Sequence, residues 1–181
     1  VFKDGNKVSE NKISFVGDQK LNMASFSDKE YISKFRDTLN NSVKRQLISD
    51  VPISILLSGG LVSSAITKLA IENNAPVKSV YTISYNDEDK KFDNQGDDLF
   101  YSKQLSNELG LKLNIIKPKK NVLSLLEEIP SFMNDGVTDP ASLNTFIISK
   151  NAREHDVKVL LSGQGADAVW RGLSTLAGSW I

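Results

Sequence analysis

The sequence contains no cysteine and a single histidine, His155. The first absence excludes disulfides, Cys-ligated zinc, iron–sulfur clusters and thiol nucleophiles. The second excludes a histidine-rich metal site and argues against a Ser-His-Asp triad. Neither sign of charge is in excess, because 22 Lys and Arg balance 22 Asp and Glu. A general nucleic-acid or anionic-membrane surface needs a basic surplus, so neither partner is expected. No apolar run approaches the roughly 20 residues that span a bilayer. The first residue is not Met, and the start lacks the charged-then-apolar layout of a signal segment. The expectation is a cytoplasmic domain or fragment, trimmed at both ends.

What remains is 181 residues, 40% apolar and 24% charged, enough for one domain with a real core. Asp4-Gly5-Asn6 is a turn signal between short strand-like runs. Ser27-Asp28-Lys29-Glu30 fits a capping box. Behind it Ile32, Phe35, Leu39, Val43 and Leu47 recur at spacings of three and four, predicting one apolar helix face ending near Ser49. Ile53 to Leu57 reads as a strand buried on both faces. Helices are expected at Ser63–Asn74, Asp97–Leu109 (closed by Gly110), Val122–Met133 (bent by Pro130) and Pro140 to about Glu154. Further strands are expected at Val77–Ser84, Leu111–Ile116 and Val157–Leu161, with a charged loop over Asn86–Asp98. Strands alternating with helices imply right-handed β-α-β units. The fold class is therefore α/β, a parallel sheet with helices on both faces.

Two loops carry the chemistry. Leu56-Leu57-Ser58-Gly59 ends the first core strand, and Leu160-Leu161-Ser162-Gly163 ends the last. Each leads through a glycine-rich turn into a helix. In an open parallel sheet, ligands bind beyond the carboxyl ends of strands at the switch point. Glycine admits close backbone approach, and free N–H groups at a helix start favour phosphate. The spacing is neither a Walker A loop nor Gly-x-Gly-x-x-Gly, which turns the expectation away from dinucleotides.

The stretch Asp50 to Ser64, with Ser58-Gly59-Gly60-Leu61-Val62-Ser63 at its centre, resembles the pyrophosphate loop of asparagine synthetases, Ser-Gly-Gly-x-Asp-Ser. Ser162-Gly163-Gln164-Gly165-Ala166-Asp167 resembles the same family's Ser-Gly-x-Gly-x-Asp-Glu. Tyr81-Thr82-Ile83 and Thr138 to Ser142 match further segments, so the resemblance covers about residues 27–172. It implies the C-terminal, ATP-pyrophosphatase-type synthetase domain of that family over 27–181, cut short at its C-terminus, behind an N-terminal remnant or linker, 1–26. The implied fold is adenine nucleotide α-hydrolase-like, strand order 3-2-1-4-5. The implied activity is that of an ATP-dependent amide-forming ligase: ATP adenylates aspartate or another carboxylate, and ammonia from a glutaminase domain outside this chain displaces AMP. By that resemblance Ser58, Gly59, Gly60, Ser63 and Ser64 hold the phosphates. Leu57 and Ile83 line the adenosine pocket, and Ser162 and Gly163 lie against the nucleotide. Asp167 holds Mg²⁺ and counts as catalytic. A homo-oligomer stays open.

The departures matter as much. Val62 stands where the family has Asp, Ala168 where it has Glu, and Trp170-Arg171-Gly172-Leu173 where it has aromatic-Gly-Gly-Tyr. Two acidic positions near the triphosphate are apolar. A cradle built from glycine and N–H geometry survives such losses more easily than turnover does. An alternative is thus a degenerate nucleotide-binding or interaction module, or a relative acting on another substrate. Val62 itself reads either as packing under the loop or as a functional loss. His155 reads as a cation at a helix end rather than a base. Asp135 and Asp139 read as a turn and a cap or as substrate or metal contacts. Lys117, Lys119 and Lys120 read as a solvated loop more than a phosphate grip, and Trp170 and Trp180 as packing surface rather than a ligand site.

Overall fold

The computed structural model describes residues 2–3, 6–7, 26–85, 98–118, 125–132 and 140–166. Two compact units divide the chain, Val1–Thr38 and Leu39–Ile181. In the first, strands β1 (Phe2–Lys3) and β2 (Asn6–Lys7) pair antiparallel on either side of Asp4-Gly5, Phe2 opposite Lys7. The first helix, α1 (Asp28–Gln46), opens with the expected capping box. The Ser27 backbone N–H and hydroxyl donate to the Glu30 carboxylate at 2.9 and 2.7 Å, and the Glu30 N–H returns to Ser27 Oγ at 3.4 Å. The backbone hydrogen bond from Ser27, joined by its hydroxyl, holds the Glu30 carboxyl below its ordinary pKa.

The apolar stripe of α1 is only partly buried, a correction to the expected face. Val43 is buried and Leu39 and Leu47 are half-buried, whereas Ile32 is 64% exposed and Phe35 41%. The two exposed residues belong to the first unit, and the three covered ones to the second. The helix stops at Gln46 rather than near Ser49, whose hydroxyl instead ties the Val51 backbone into the turn before the sheet.

The second unit is built on a four-stranded parallel sheet of β3 (Ile53–Leu56), β4 (Val77–Ile83), β5 (Leu113–Ile116) and β6 (Val159–Leu161), in spatial order β5-β4-β3-β6. This is the expected order for its first four strands. The fifth has no counterpart among the described residues. Helices α2 (Leu61–Glu72) and α3 (Asp98–Glu108) cover one face, where Ile55, Leu57, Ala70 and Val80 form a buried cluster with Leu105 against it. Helix α5 (Pro140–Glu154) covers the other, where Tyr81, Ile148, Ala152 and Val157 pack together. The strand buried on both faces carries one polar residue, Ser54, which is paired with Ser79 on β4, Oγ to Oγ 3.3 Å. The pairing removes the cost of burying two hydroxyls alone.

Helices α2, α3 and α5 end alike. Residues Asn74, Gly110 and Asp156 take positive φ (57°, 64° and 55°). Their N–H groups reach back to Ile71, Asn107 and Arg153, and the next residues, Ala75, Leu111 and Val157, reach Ala70, Ser106 and Ala152. These are Schellman motifs. They explain why β5 and β6 begin two residues later than expected, because Leu111 and Val157 are still closing the helix. The helix expected over Val122–Met133 is described only as α4 (Leu125–Glu128) and a 3₁₀ turn, Ile129–Ser131, around Pro130. The charged loop over residues 86–97 lies outside the described residues. No helix among the described residues is long and apolar enough to cross a membrane.

Candidate functional site

Strand β3 is the point where the sheet reverses its growth, with β4 on one side and β6 on the other. Both strands run the same way, so the loops after β3 and β6 emerge side by side. Between them lies a cavity of about 600 Å³, a volume suited to a small ligand such as a nucleotide. Leu57, Ser58, Gly60 and Ser63 of the first loop line it, together with Ser162 and Gly163 of the second and Ile83 at the end of β4. Gly59 and Ser64, expected beside them, line instead a shallower neighbouring cleft with Tyr101 and Gln104 of α3. The reason is that helix α2 starts at Leu61, two residues before the expected Ser63. That start places Ser64 inside the first turn, its N–H on the Gly60 carbonyl at 3.1 Å.

The two loops share one device. Ser58 Oγ accepts the Gly60 N–H at 3.3 Å, and Ser162 Oγ accepts the Gln164 N–H at 3.1 Å. Each serine thus turns its own backbone two residues on. In the first loop the hydroxyl protons can be followed further. Ser63 Oγ donates to the Gly60 carbonyl at 3.1 Å, so its contact with Ser58 Oγ at 2.9 Å is one in which Ser58 donates. Ser63 is buried and Ser58 exposed. Of the two hydroxyls, Ser58 is therefore the one open to solvent. Helix α2 has Gly60 at its N-cap, no side-chain cap and no acidic residue in its first turn. Its leading N–H groups carry uncompensated positive potential, favourable to an anion.

The loops touch through Val62. A β-carbon added at Gly163 would lie 3.0 Å from Val62 Cγ1 and 3.3 Å from the Ile66 methyl. Val62 is therefore packed against the second loop, and it also borders the cavity. Where the family's Asp would offer oxygens, this chain offers a methyl. Among the described residues no three His, Cys, Asp or Glu gather as a metal site. One carboxyl-bearing residue among the described residues, Asp98 at the start of α3, borders the cavity. The hydroxyls are hard oxygen donors. They fit magnesium that arrives with nucleotide phosphates as its main ligands, and they do not amount to a cage for the ion alone. Asp167, Ala168, Asp135, Asp139, Lys119, Lys120, Trp170 and Trp180 lie outside the described residues.

Asn144 of α5 and Asp98 also line the cavity and were not singled out from sequence. Tyr85, just beyond β4, donates its hydroxyl to Asn144 Oδ1 and so ties the end of that strand to α5. No local pattern marks either pair. His155 follows the last turn of α5, and its carbonyl accepts from Lys78 Nζ at 2.9 Å. Lys78 lies near the start of β4, at the opposite end of the sheet from the loops. The imidazole Nδ1 is 3.5 Å from the Tyr81 hydroxyl, and His155 does not line the cavity. The cation that meets this helix end is Lys78.

The family model described as Asparagine synthase matches residues 34–179. Asparagine synthetase [glutamine-hydrolyzing] 1 of Bacillus subtilis is 31% identical over 144 residues, 78% of this chain and 21% of that protein. The chain spans about a fifth to a quarter of the length of such relatives. Two solved structures share the fold. The U34-tRNA thiolase NcsA of Methanococcus maripaludis is similar at TM-score 0.51 and 16% identity, over 86% of this chain and 56% of its own. A glutamine-dependent NAD⁺ synthetase of Acinetobacter baumannii in complex with ADP gives 0.50 and 13%, over 82% and 29%. At these identities the likeness establishes the fold alone, which is adenine nucleotide α-hydrolase-like.

Proposed function

This chain belongs to the asparagine synthase family, and on that premise we propose that it forms the ATP site of an amide-forming synthetase that adenylates a carboxylate, with aspartate as the first candidate. The observation that carries the reading is the cavity between two serine-glycine loops at the switch point of the sheet, which both loops line. Leu57 and Ile83 would receive the adenosine, with Ser162 and Gly163 against the nucleotide. Ser58, Gly60, Ser63 and the start of α2 would receive the phosphates. Magnesium would neutralise phosphate charge, with Asp167 as its protein ligand. A carboxylate oxygen then attacks the α-phosphorus and pyrophosphate leaves. Ammonia, delivered from a glutaminase domain outside this chain, attacks the acyl carbon and AMP leaves. The chain's own part is positioning and charge stabilisation, usually the larger share of catalysis in such transfers.

Val62 favours a second reading, a nucleotide-binding module with impaired turnover. Its methyl fills the contact with Gly163. Calorimetric titration of Mg·ATP into the chain and into Val62→Asp separates the two. Under the synthetase reading the unaltered chain binds Mg·ATP, and pyrophosphate release rises with one carboxylate, aspartate or another. If the unaltered chain binds but no carboxylate raises pyrophosphate release, the module reading holds. If only Val62→Asp binds, the site is disarmed and both readings fail for the unaltered chain. If neither binds while both stay folded, the nucleotide site is refuted.

A further inference from the structure

Ser102 lies on α3, is fully buried, and has an unusual outlet for a helical serine. A serine inside a helix commonly bonds a carbonyl of its own preceding turn. Ser106, one turn on and equally buried, does this, with Oγ on the Lys103 carbonyl at 3.0 Å. Ser102 Oγ instead leaves the helix and donates to the Leu57 carbonyl at 3.0 Å. Leu57 is the residue that joins β3 to the first glycine loop. Its N–H is already held by the Tyr81 carbonyl at 2.8 Å, so both of its backbone polar groups are bound by flanking elements.

The consequence falls on the next residue. In a planar trans peptide the C=O and the following N–H point in opposite directions. Turning the Leu57 carbonyl onto α3 therefore directs the Ser58 N–H away from α3. Ser58 borders the cavity, and its N–H has no partner among the described residues. One residue further, Gly59 lies against the backbone of Asp98 at the first turn of the same helix, closer than any β-carbon would allow. Helix α3 thus sets two successive peptide units of the loop from behind.

We propose that Ser102 is a positioning residue of the phosphate loop: by holding the Leu57 carbonyl it aims the Ser58 N–H at a nucleotide phosphate. The inference rests on the nucleotide reading above and adds to it a residue outside both loops.

The test compares Mg·ATP and adenosine affinities, by calorimetry, in the unaltered chain, Ser102→Ala, Ser102→Thr and Ser106→Ala. Ser102→Ala is expected to weaken ATP by about fivefold, the loss of one modest hydrogen-bond contribution, with adenosine affinity unmoved. Ser102→Thr, which keeps the hydroxyl, restores ATP affinity, and Ser106→Ala changes neither ligand. In the unaltered chain the Ser58 amide resonance shifts when ATP is added and not when adenosine is. Should the alanine variant not fold, Ser102→Cys, similar in size and a weak donor, gives the same comparison. Equal weakening of ATP and adenosine would reduce Ser102 to a packing role, and an unchanged ATP affinity also overturns the inference. A folded, unaltered chain that binds no ATP refutes the nucleotide reading, and this inference with it.

Discussion

At Gly59 a β-carbon would sit 2.0 Å from the Asp98 carbonyl oxygen, and the backbone there has φ of +92°. Both facts forbid a side chain: the clash is with backbone, which cannot swing aside, and the dihedral lies where L-residues are strained. Gly59→Ala is expected to cost about 3 kcal/mol or more, read as a lowered urea midpoint at unchanged slope. A loss below about 1 kcal/mol would show that α3 does not back the loop so closely. Gly163 meets a softer limit, because its close neighbour is a Val62 methyl rather than backbone. Ser58, Ser162 and Gly163 stand out in the sequence because the two loops repeat Leu-Leu-Ser-Gly, whereas Gly60 and Ser63 were named by the family resemblance. Ser102 stands out in neither way, since its partner is 45 residues away in the chain. A polar residue on the inner face of an otherwise ordinary helix was its one trace.

Among the elements, the three helices that feed β4, β5 and β6 stop by the same hydrogen-bond pattern but with different residues at the left-handed position: Asn74, Gly110 and Asp156. Glycine is unstrained there, asparagine is tolerated, and aspartate retains part of the steric cost. Asp156→Gly is therefore expected to stabilise the second unit by about 0.5–1 kcal/mol, the glycine gain being partly offset in the unfolded chain. Thermal unfolding should move up by about 2–4 °C. A fall would mean that the Asp156 side chain supports the turn in some other way. All three helix ends were placed beforehand to within about two residues, but only Gly110 was named as a cap. Aspartate is a common turn residue in any setting, and nothing nearby distinguishes this one. The capping box of Ser27 and Glu30 was readable, because both partners lie within one turn.

For the whole molecule, the sheet, its two covering layers and the cavity at its carboxyl edge unfold together if the second unit is one cooperative body. A ligand bound only by the folded form adds stability by mass action, roughly 2.7 kcal/mol at a hundredfold excess over Kd. Mg·ATP at that level is expected to raise the melting temperature by about 5–10 °C. An absent shift at saturating ATP would contradict the cavity's role, and an equal shift with inorganic phosphate alone would confine binding to the loop. Composition, alternation of short apolar runs with helical periodicity, and the repeated serine-glycine turn were enough to determine an α/β chain with a parallel sheet and two glycine-rich loops at the carboxyl ends of its strands. Those signals are local, set by burial period and backbone freedom within a few residues. Tertiary structure alone decided that Val62 bridges the loops and that Gly59 rests on α3. It also decided that Asp98 and Asn144 reach the same cavity and that the apolar stripe of α1 is covered over only half its length. Each of these depends on which distant segment packs where, and close packing between elements leaves no periodic mark on either partner's sequence.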